Sequence, residues 1–372
     1  MTFVNVVIVG SGPAGIGIAS LLSKTDIDYI VLEKNETGNS FNEWPENMEM
    51  ITPSFPSNAF GQMDLNSICQ LTSPAFAFKK EHLTGKEYAR YLSKVEALNK
   101  INIETNTEVK NVYEVSNGWM IETNKGKLIC KYLIWAAGEF QNPQVKNIIG
   151  AEHCIHSSLI KDSSTLQGDN FVIIGGYESG VQMANQLIQN NKKVTLINPS
   201  KIDQIDTSDP SKALSPYTLV KYNEIQNSPN YTEIIGYVNN VKKENNLYLV
   251  ELKDKTIVKS GQNPICATGF SLVQKPIEKL ITFRNDGYPL LKEETDELYN
   301  QNNIYLSGPS VRHQNHIFCF IYKFRQRFGI IVEDILNKEM YNINDIVSLV
   351  TIWKSNGLYL SDLSCCNEEC IC

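Results

Sequence analysis

Three glycines near the N-terminus restrict this chain more than any other feature. Gly10, Gly12 and Gly15 follow an apolar run, Val6–Val9, at Gly-x-Gly-x-x-Gly spacing. A small-residue, apolar pattern then runs from Pro13 to about Ser23, and a second β-rich run, Tyr29–Leu32, ends in Glu33. A short unbroken apolar run reads as a strand buried on both faces. Gly10 allows the tight turn out of that strand, Gly12 lets a bulky anion approach the backbone, and Gly15 lets the helix close on the strand. Ser11, Pro13 and Ala14 complete the loop. The helix start offers unpaired N–H groups and a positive dipole end, which suit a pyrophosphate. Glu33, 23 residues after Gly10, is placed to accept hydrogen bonds from a ribose diol. A glycine-rich turn without a ligand would leave the register of three glycines and an acid unexplained. The stretch therefore predicts a dinucleotide site.

The pattern recurs 165 residues later, at Phe171–Asn198. Gly175 takes the place of Gly10, Tyr177 of Gly12, Gly180 of Gly15 and Asn198 of Glu33, with Gly176, Glu178 and Ser179 between them. An internal repeat of this kind predicts two Rossmann-like units in one α/β chain. The copies differ where a ribose would sit. An acid there binds a ribose diol and repels a 2′-phosphate. Asn198 does not repel it, and Ser200 and Lys201 are placed to contact it, so the second unit is expected to prefer NADPH over NADH.

Bulk properties narrow the classes. The formal net charge is −7 with Lys and Arg scattered, which argues against a nucleic-acid or anionic-membrane surface. No apolar run approaches the ~18 residues of a membrane span, and the N-terminus enters the first motif without a leader pattern, so a cytoplasmic location is expected. Cys69, Cys130, Cys154, Cys266 and Cys319 are isolated, whereas Cys365, Cys366, Cys370 and Cys372 crowd the last residues. The spacing of the latter matches no standard zinc pattern, and no metal site is assigned.

Between the motifs the chain alternates loops and strands. Residues 45–80 carry Pro45, Pro53, Pro56 and Pro74 among many apolar residues and read as an ordered irregular segment packed around a cofactor. Thr84–Leu98 reads as a helix with a Thr84/Glu87 capping box. Residues 101–134 alternate as strands with turns at Asn117-Gly118 and Lys125-Gly126. Lys201–Asn230 reads as a loop-rich insertion. Phe324–Lys338 has helical spacing, and Tyr341–Trp353 suggests a further helix. Ala136-Ala137-Gly138 and Ala267-Thr268-Gly269 each follow a strand, and Asn303–Gly308 is another strand ending in glycine.

Paired glycine motifs, an Ala-Gly or Ala-Thr-Gly segment after each unit, and a closing strand with glycine resemble the two-dinucleotide-binding-domain flavoproteins. The chain is most similar to the flavin-containing monooxygenases of the small bacterial type, over roughly Val6–Leu336. The loop GNSFNEWPENMEMITPS and the run IFCFIYKFRQRFGIIVEDIL are also similar to the bacillithiol-disulfide reductases. The resemblance implies a glutathione-reductase-like arrangement. Residues 1–155 and 271–360 would form an FAD-binding domain, 156–270 an inserted NADPH-binding domain, and 361–372 a cysteine-rich tail.

It implies that FAD is held by Gly10–Gly15, Glu33, Lys34, Ser40, Trp44, Val109, Ala137, Gly138 and Gly308. NADPH would be held by Gly175–Gly180, Asn198, Ser200, Lys201, Thr268 and Gly269. Thr52, Asn58 and His316 are the implied catalytic candidates, and His313 lies beside the last of them. Tyr177 departs from the family, which keeps glycine there, and is expected to crowd the pyrophosphate. The implied reaction is NADPH-dependent oxygenation of a small nitrogen- or sulfur-containing substrate by O2, through a flavin C4a-hydroperoxide. The alternatives are reduction of a low-molecular-weight disulfide and non-catalytic flavin binding; a homodimer is left open.

Overall fold

The computed structural model describes residues 2–56, 62–145, 148–202, 207, 209–271 and 275–363. They form two compact units. One holds the chain up to Asn42, Thr52–Glu139 and the residues from 275 onward; the other holds Glu43–Ile51 and Phe140–Ser271. The second unit is thus inserted into the first in the sequence.

The first unit opens with β1 (Thr2–Val9), α1 (Pro13–Leu22) and β2 (Tyr29–Leu32). Val6, Val7 and Ile8 are fully buried, as expected of a strand covered on both faces. Short helices follow at α2 (Asn39–Asn42) and α3 (Pro74–Phe78), then the longer α4 (Gly85–Asn99). The α4 start carries the expected reciprocal capping box between Thr84 and Glu87. Its buried face holds Tyr88, Tyr91, Leu92 and Val95. β3 (Ile103–Glu104) joins the edge, and β4 (Val109–Val115), β5 (Gly118–Thr123) and β6 (Gly126–Trp135) form a meander. Gly118 and Gly126 open their strands at φ +136° and +143°, values that favour glycine.

The chain then builds the second unit. β7 (Ile155–His156), β8 (Asn170–Ile174), α5 (Glu178–Gln189), β9 (Lys193–Asn198), α6 (Pro216–Ile225) and β10 (Tyr231–Ile235) come first. β11 (Val238–Glu244), β12 (Leu247–Leu252), β13 (Ile257–Ser260) and β14 (Ile265–Cys266) complete it. A parallel sheet has the order β10-β9-β8-β14-β7, and β11-β12-β13 form a separate antiparallel sheet. Alternation along the parallel strands divides the core. Ile173, Leu196 and Ile265 join the α5 and α6 residues Val181, Leu187 and Tyr222, whereas Val172, Ile174, Ile197 and Cys266 pack on Val241, Val250 and Leu252 of the antiparallel sheet.

Helix α6 corrects the loop reading of Lys201–Asn230. Ser215 accepts the Thr218 N–H as an N-cap and Pro216 takes the first helical position, a start that suits proline because its missing N–H would be unpaired there anyway. The expected first boundary, after 155, also moves to Glu139. Pro143 bridges to Phe270, Val145 and Ile148 pack on the antiparallel-sheet core, and β7 pairs with β14.

The chain rejoins the first unit with α7 (Lys275–Glu278), β15 (Ile304–Leu306), the β16–β17 hairpin (Arg312–His313, His316–Ile317), α8 (Ile321–Phe324), α9 (Phe328–Lys338) and α10 (Ile343–Ser355). The first sheet runs β3-β2-β1-β6-β5-β4. β15 shares an edge of β6 with β5: β5 pairs antiparallel with Gly126–Cys130 and β15 parallel with Leu133–Trp135. α1 packs on α9 so closely that a Cβ on Gly17 would lie 2.1 Å from Phe328 Cε2.

Candidate functional site

Four parallel strands of the first unit, β2, β1, β6 and β15, end at one edge of the sheet, at Leu32, Val9, Trp135 and Leu306. Ligands of open α/β sheets bind at such carboxyl edges. Gly10 turns out of β1 at φ +100°, and a Cβ there would meet Ala136 O at 2.7 Å. A Cβ on Gly15 would lie 1.9 Å from Gly10 O, so helix and turn are in backbone contact. Gly12, the N-cap of α1, has open space where its Cβ would be. Gly308, at φ +111°, faces this loop, its Cβ position 3.7 Å from Ala14 Cβ.

Glu33 closes the loop from β2. One carboxylate oxygen accepts both Ser11 N–H and Ser11 O–H at 2.8 Å, and the other accepts Asn35 N–H at 2.9 Å. These bonds hold the carboxylate beside the glycine turn. Ser307 Oγ, Arg312 Nε and His316 Nε2 are buried atoms with no hydrogen-bond partner among the described residues, and all lie in the chain leaving β15. Open space at Gly12, a pinned acid at the expected ribose position and an unmet Ser307 hydroxyl directly after β15 fit a dinucleotide whose phosphates rest on α1.

The other expected residues divide. Val109 is buried at the start of β4, and Gly138 continues the chain from β6 at φ +68°. Ser40 lies in α2. Lys34 forms an ion pair with Glu108 at 2.9 Å. Trp44 falls in the second unit, its ring 6.5 Å from Phe140; the structure does not gather it with Gly10–Gly15 in one unit. Thr52 is buried, its carbonyl accepting Asn66 Nδ2–H at 2.8 Å. Asn58 and the tail cysteines lie outside the described residues. His313 has a structural place: it meets Asp296 at 2.6 Å, and Arg327 donates to the same carboxylate.

The second glycine loop repeats the first in detail. Gly175 has φ +105°, and a Cβ there would lie 2.4 Å from Ala267 O; a Cβ on Gly180 would lie 1.8 Å from Gly175 O. Asn198 Oδ1 accepts the Gly176 N–H at 3.0 Å, the counterpart of Glu33 accepting from Ser11. Asn198 also donates to Ser200 O at 2.7 Å, while Ser200 and Lys201 are exposed. Tyr177 keeps the backbone of its counterpart: φ −104° and ψ −159°, against −78° and −170° at Gly12. Its hydroxyl donates to Ala213 O at 2.6 Å. Glu178 accepts Ser215 N–H at 2.6 Å and Ser215 O–H at 3.0 Å, and also binds Thr218. Thr268 donates to Gln144 O, and Gly269 O meets His156 Nε2 at 3.0 Å. The turn fits a second dinucleotide, with a tyrosine Cβ standing where the first loop is open.

Residues 7–308 match the pyridine nucleotide-disulphide oxidoreductase family. The chain belongs to that family. The chain spans about half the length of the curated relatives it matches first: it is 31% identical over 189 residues to the uncharacterized oxidoreductase CzcO of Bacillus velezensis, covering 49% of this chain and 51% of the relative. Among solved structures, the bacillithiol disulfide reductase Bdr of Staphylococcus aureus superposes with a TM-score of 0.74 at 22% identity, over 91% of this chain and 100% of that one. A flavin-containing monooxygenase from Stenotrophomonas maltophilia gives 0.63 at 16%, over 83% and 91%. Both likenesses show the fold. The chain thus has the two-unit architecture of these proteins, and among its described residues no helix is long and apolar enough to cross a membrane.

One cluster of this chain gave no sequence signal. Glu139, directly after Gly138, has a carboxyl pushed up to about 7 by burial, with Arg312 opposing the shift. Arg312 stacks its guanidinium 3.2 Å from the centre of the Tyr288 ring. The three residues come from distant parts of the chain. No spacing rule connects them; only the pairing of β15 with β6 brings their segments together.

Proposed function

We propose that this chain is an NADPH-dependent flavin reductase of a low-molecular-weight disulfide, with FAD on the first glycine loop and NADPH on the second. The observation that carries this reading is extent: the fold matches the whole of a bacillithiol disulfide reductase, 100% of that chain with 91% of this one. The family description, pyridine nucleotide-disulphide oxidoreductase, supports the nicotinamide donor. No two cysteines stand in a Cys-x-x-Cys pattern, so in this reading bound flavin would supply the electrons and no Cys-x-x-Cys dithiol takes part. The balance is NADPH, one proton and RSSR giving NADP⁺ and two RSH.

Bound flavin supplies the two-electron relay; the protein supplies position and charge. The N-terminus of α1 takes the pyrophosphate, Glu33 the adenosine ribose, and Gly308 leaves room against Ala14. Asn198 tolerates a 2′-phosphate, and Lys201 attracts it. The Glu139 carboxyl, half-protonated near pH 7, holds a proton of the kind a departing thiolate needs. Val109, Ala137, Gly138, Lys34 and Ser40 are retained as flavin-side candidates, and Thr52 and His316 as residues that shape the reacting side.

Oxygenation of a small nitrogen or sulfur compound by O2 is the second reading, supported by the monooxygenase likeness. Anaerobic reduction by NADPH followed by stopped-flow mixing separates the two. Fast reoxidation by a small disulfide, with slow, featureless reoxidation by O2, is expected. A transient oxygen-dependent spectrum with no response to disulfides overturns the reductase in favour of the monooxygenase. Failure of either nicotinamide to reduce the flavin leaves a binding protein.

A further inference from the structure

Cys154 and Cys266 are far apart in sequence and meet in the second unit. β7 and β14 are parallel neighbours, with Ile155 opposite Ile265 and His156 opposite Cys266. Side chains alternate across a strand. Ile155 and Ile265 accordingly face the core under α5 and α6, while Cys154 and Cys266 both face the core under the antiparallel sheet. There Cys154 packs against the cluster that holds Cys266. The two differ in access. Cys266 is fully buried, whereas Cys154 is half-buried at the end of a short helical turn. We propose that Cys154 and Cys266 form a redox-active dithiol, with Cys154 the attacking sulfur and Cys266 the resolving one.

The chemistry follows from that asymmetry. Hydrogen bonding between the two thiols holds the Cys154 pKa below the ordinary thiol value, while Cys266 is pushed up by that partner and by burial. A thiolate, not a thiol, attacks a disulfide. The Cys154 thiolate attacks one sulfur of a small disulfide RSSR; that S–S bond breaks and RS⁻ leaves, taking a proton from solvent. Cys266 then loses its proton to solvent and attacks the Cys154 sulfur, expelling the second RS⁻. The protein dithiol loses two electrons, and RSSR becomes two RSH. Cys266 precedes Ala267, whose carbonyl walls the Gly175 turn, so the bridge is joined by one peptide to the second glycine loop. The inference goes beyond the proposed function and does not depend on it.

The test uses the full-length protein, oxidised glutathione as the probe, alkylation under denaturing conditions, and mass spectrometry of a non-reduced digest. The expected result is a peptide linking Cys154 to Cys266, lost on treatment with dithiothreitol, while buried Cys69 and Cys130 remain alkylated. Cys266→Ala is expected to stop at a glutathione adduct on Cys154, and Cys154→Ala to leave Cys266 unmodified. The proposal is overturned if both thiols remain alkylated while Cys319 is oxidised. It is equally overturned if Cys154 bridges to a tail cysteine, or if Cys266→Ala carries no adduct at Cys154. Because the wild-type linkage is read independently, a variant that fails to fold does not decide the matter.

Discussion

Asn198 accepts the Gly176 N–H at 3.0 Å, in the place where Glu33 accepts the Ser11 N–H at 2.8 Å. The two loops therefore share a hydrogen bond from the residue after the first glycine to the end of the next strand. What changes between them is charge. An anionic carboxylate and a neutral amide do the same structural work.

Asn198→Asp keeps the acceptor for Gly176 but places a negative charge at the ribose. The apparent KM for NADPH should rise about tenfold, a cost of ~1.4 kcal/mol, with a much smaller change for NADH. Lys201→Glu should act in the same direction. Equal effects on both nicotinamides would remove the 2′-phosphate assignment.

Tyr177 adopts backbone angles close to those of Gly12, so removing its side chain introduces no strain in the turn. Tyr177→Gly should clear the space that is open at Gly12 and lower the KM for NADPH several-fold. The lost hydroxyl bond to Ala213 should cost about 0.5–1.5 kcal/mol of stability, read in the melting temperature. A raised KM would show instead that the tyrosine holds the nucleotide.

Gly15→Ala drives a Cβ to 1.9 Å from Gly10 O. Helix and strand must separate, and the overpacking should cost about 1–3 kcal/mol or more. Visible flavin absorbance in the purified variant should fall sharply. Retention of full flavin content would contradict the turn geometry.

Burial raises the folded-state pKa of Glu139 to about 7, above its unfolded value. The folded state therefore binds more protons between these values, and stability falls as pH rises through that window. Glu139→Gln should remove this fall, gaining about 1–2 kcal/mol at pH 8 relative to wild type. If Glu139 also holds the proton for a thiolate, the variant loses the limb near pH 7 in its kcat profile while flavin reduction by NADPH is unchanged.

Burial alone would raise the pKa of Asp296, but Arg327 and His313 outweigh it and hold the carboxylate below its ordinary value. That stabilisation is present above the unfolded pKa and is lost as pH falls through the folded one. Asp296→Ala strands a buried arginine and should cost about 3–5 kcal/mol, measured by denaturant midpoint.

Much of this was legible in the residues. The glycine register, the repeat, the Thr84/Glu87 cap and the buried face of α4 are local patterns, set by neighbours within a few residues. The α6 helix was missed because prolines and polar residues surround Ser215 and the segment carries only a weak apolar stripe, Tyr222 and Ile225. The boundary after Glu139 was missed because residues 140–155 carry no strong period; Pro143 and Ile155 are held by long-range pairing with Phe270 and β14.

By itself, the sequence determined that two strand–turn–helix units of one design occur and that they differ in charge after the second strand, Glu33 against Asn198, since spacing and residue type along a single strand and helix suffice for that. Only the tertiary structure decided that β15 returns to β6, bringing Gly308 to Ala14 and the Arg312 segment to that of Glu139, and that β7 sets Cys154 against Cys266. Those contacts depend on strand order and register, which residues distant in the chain settle together by burying a common core.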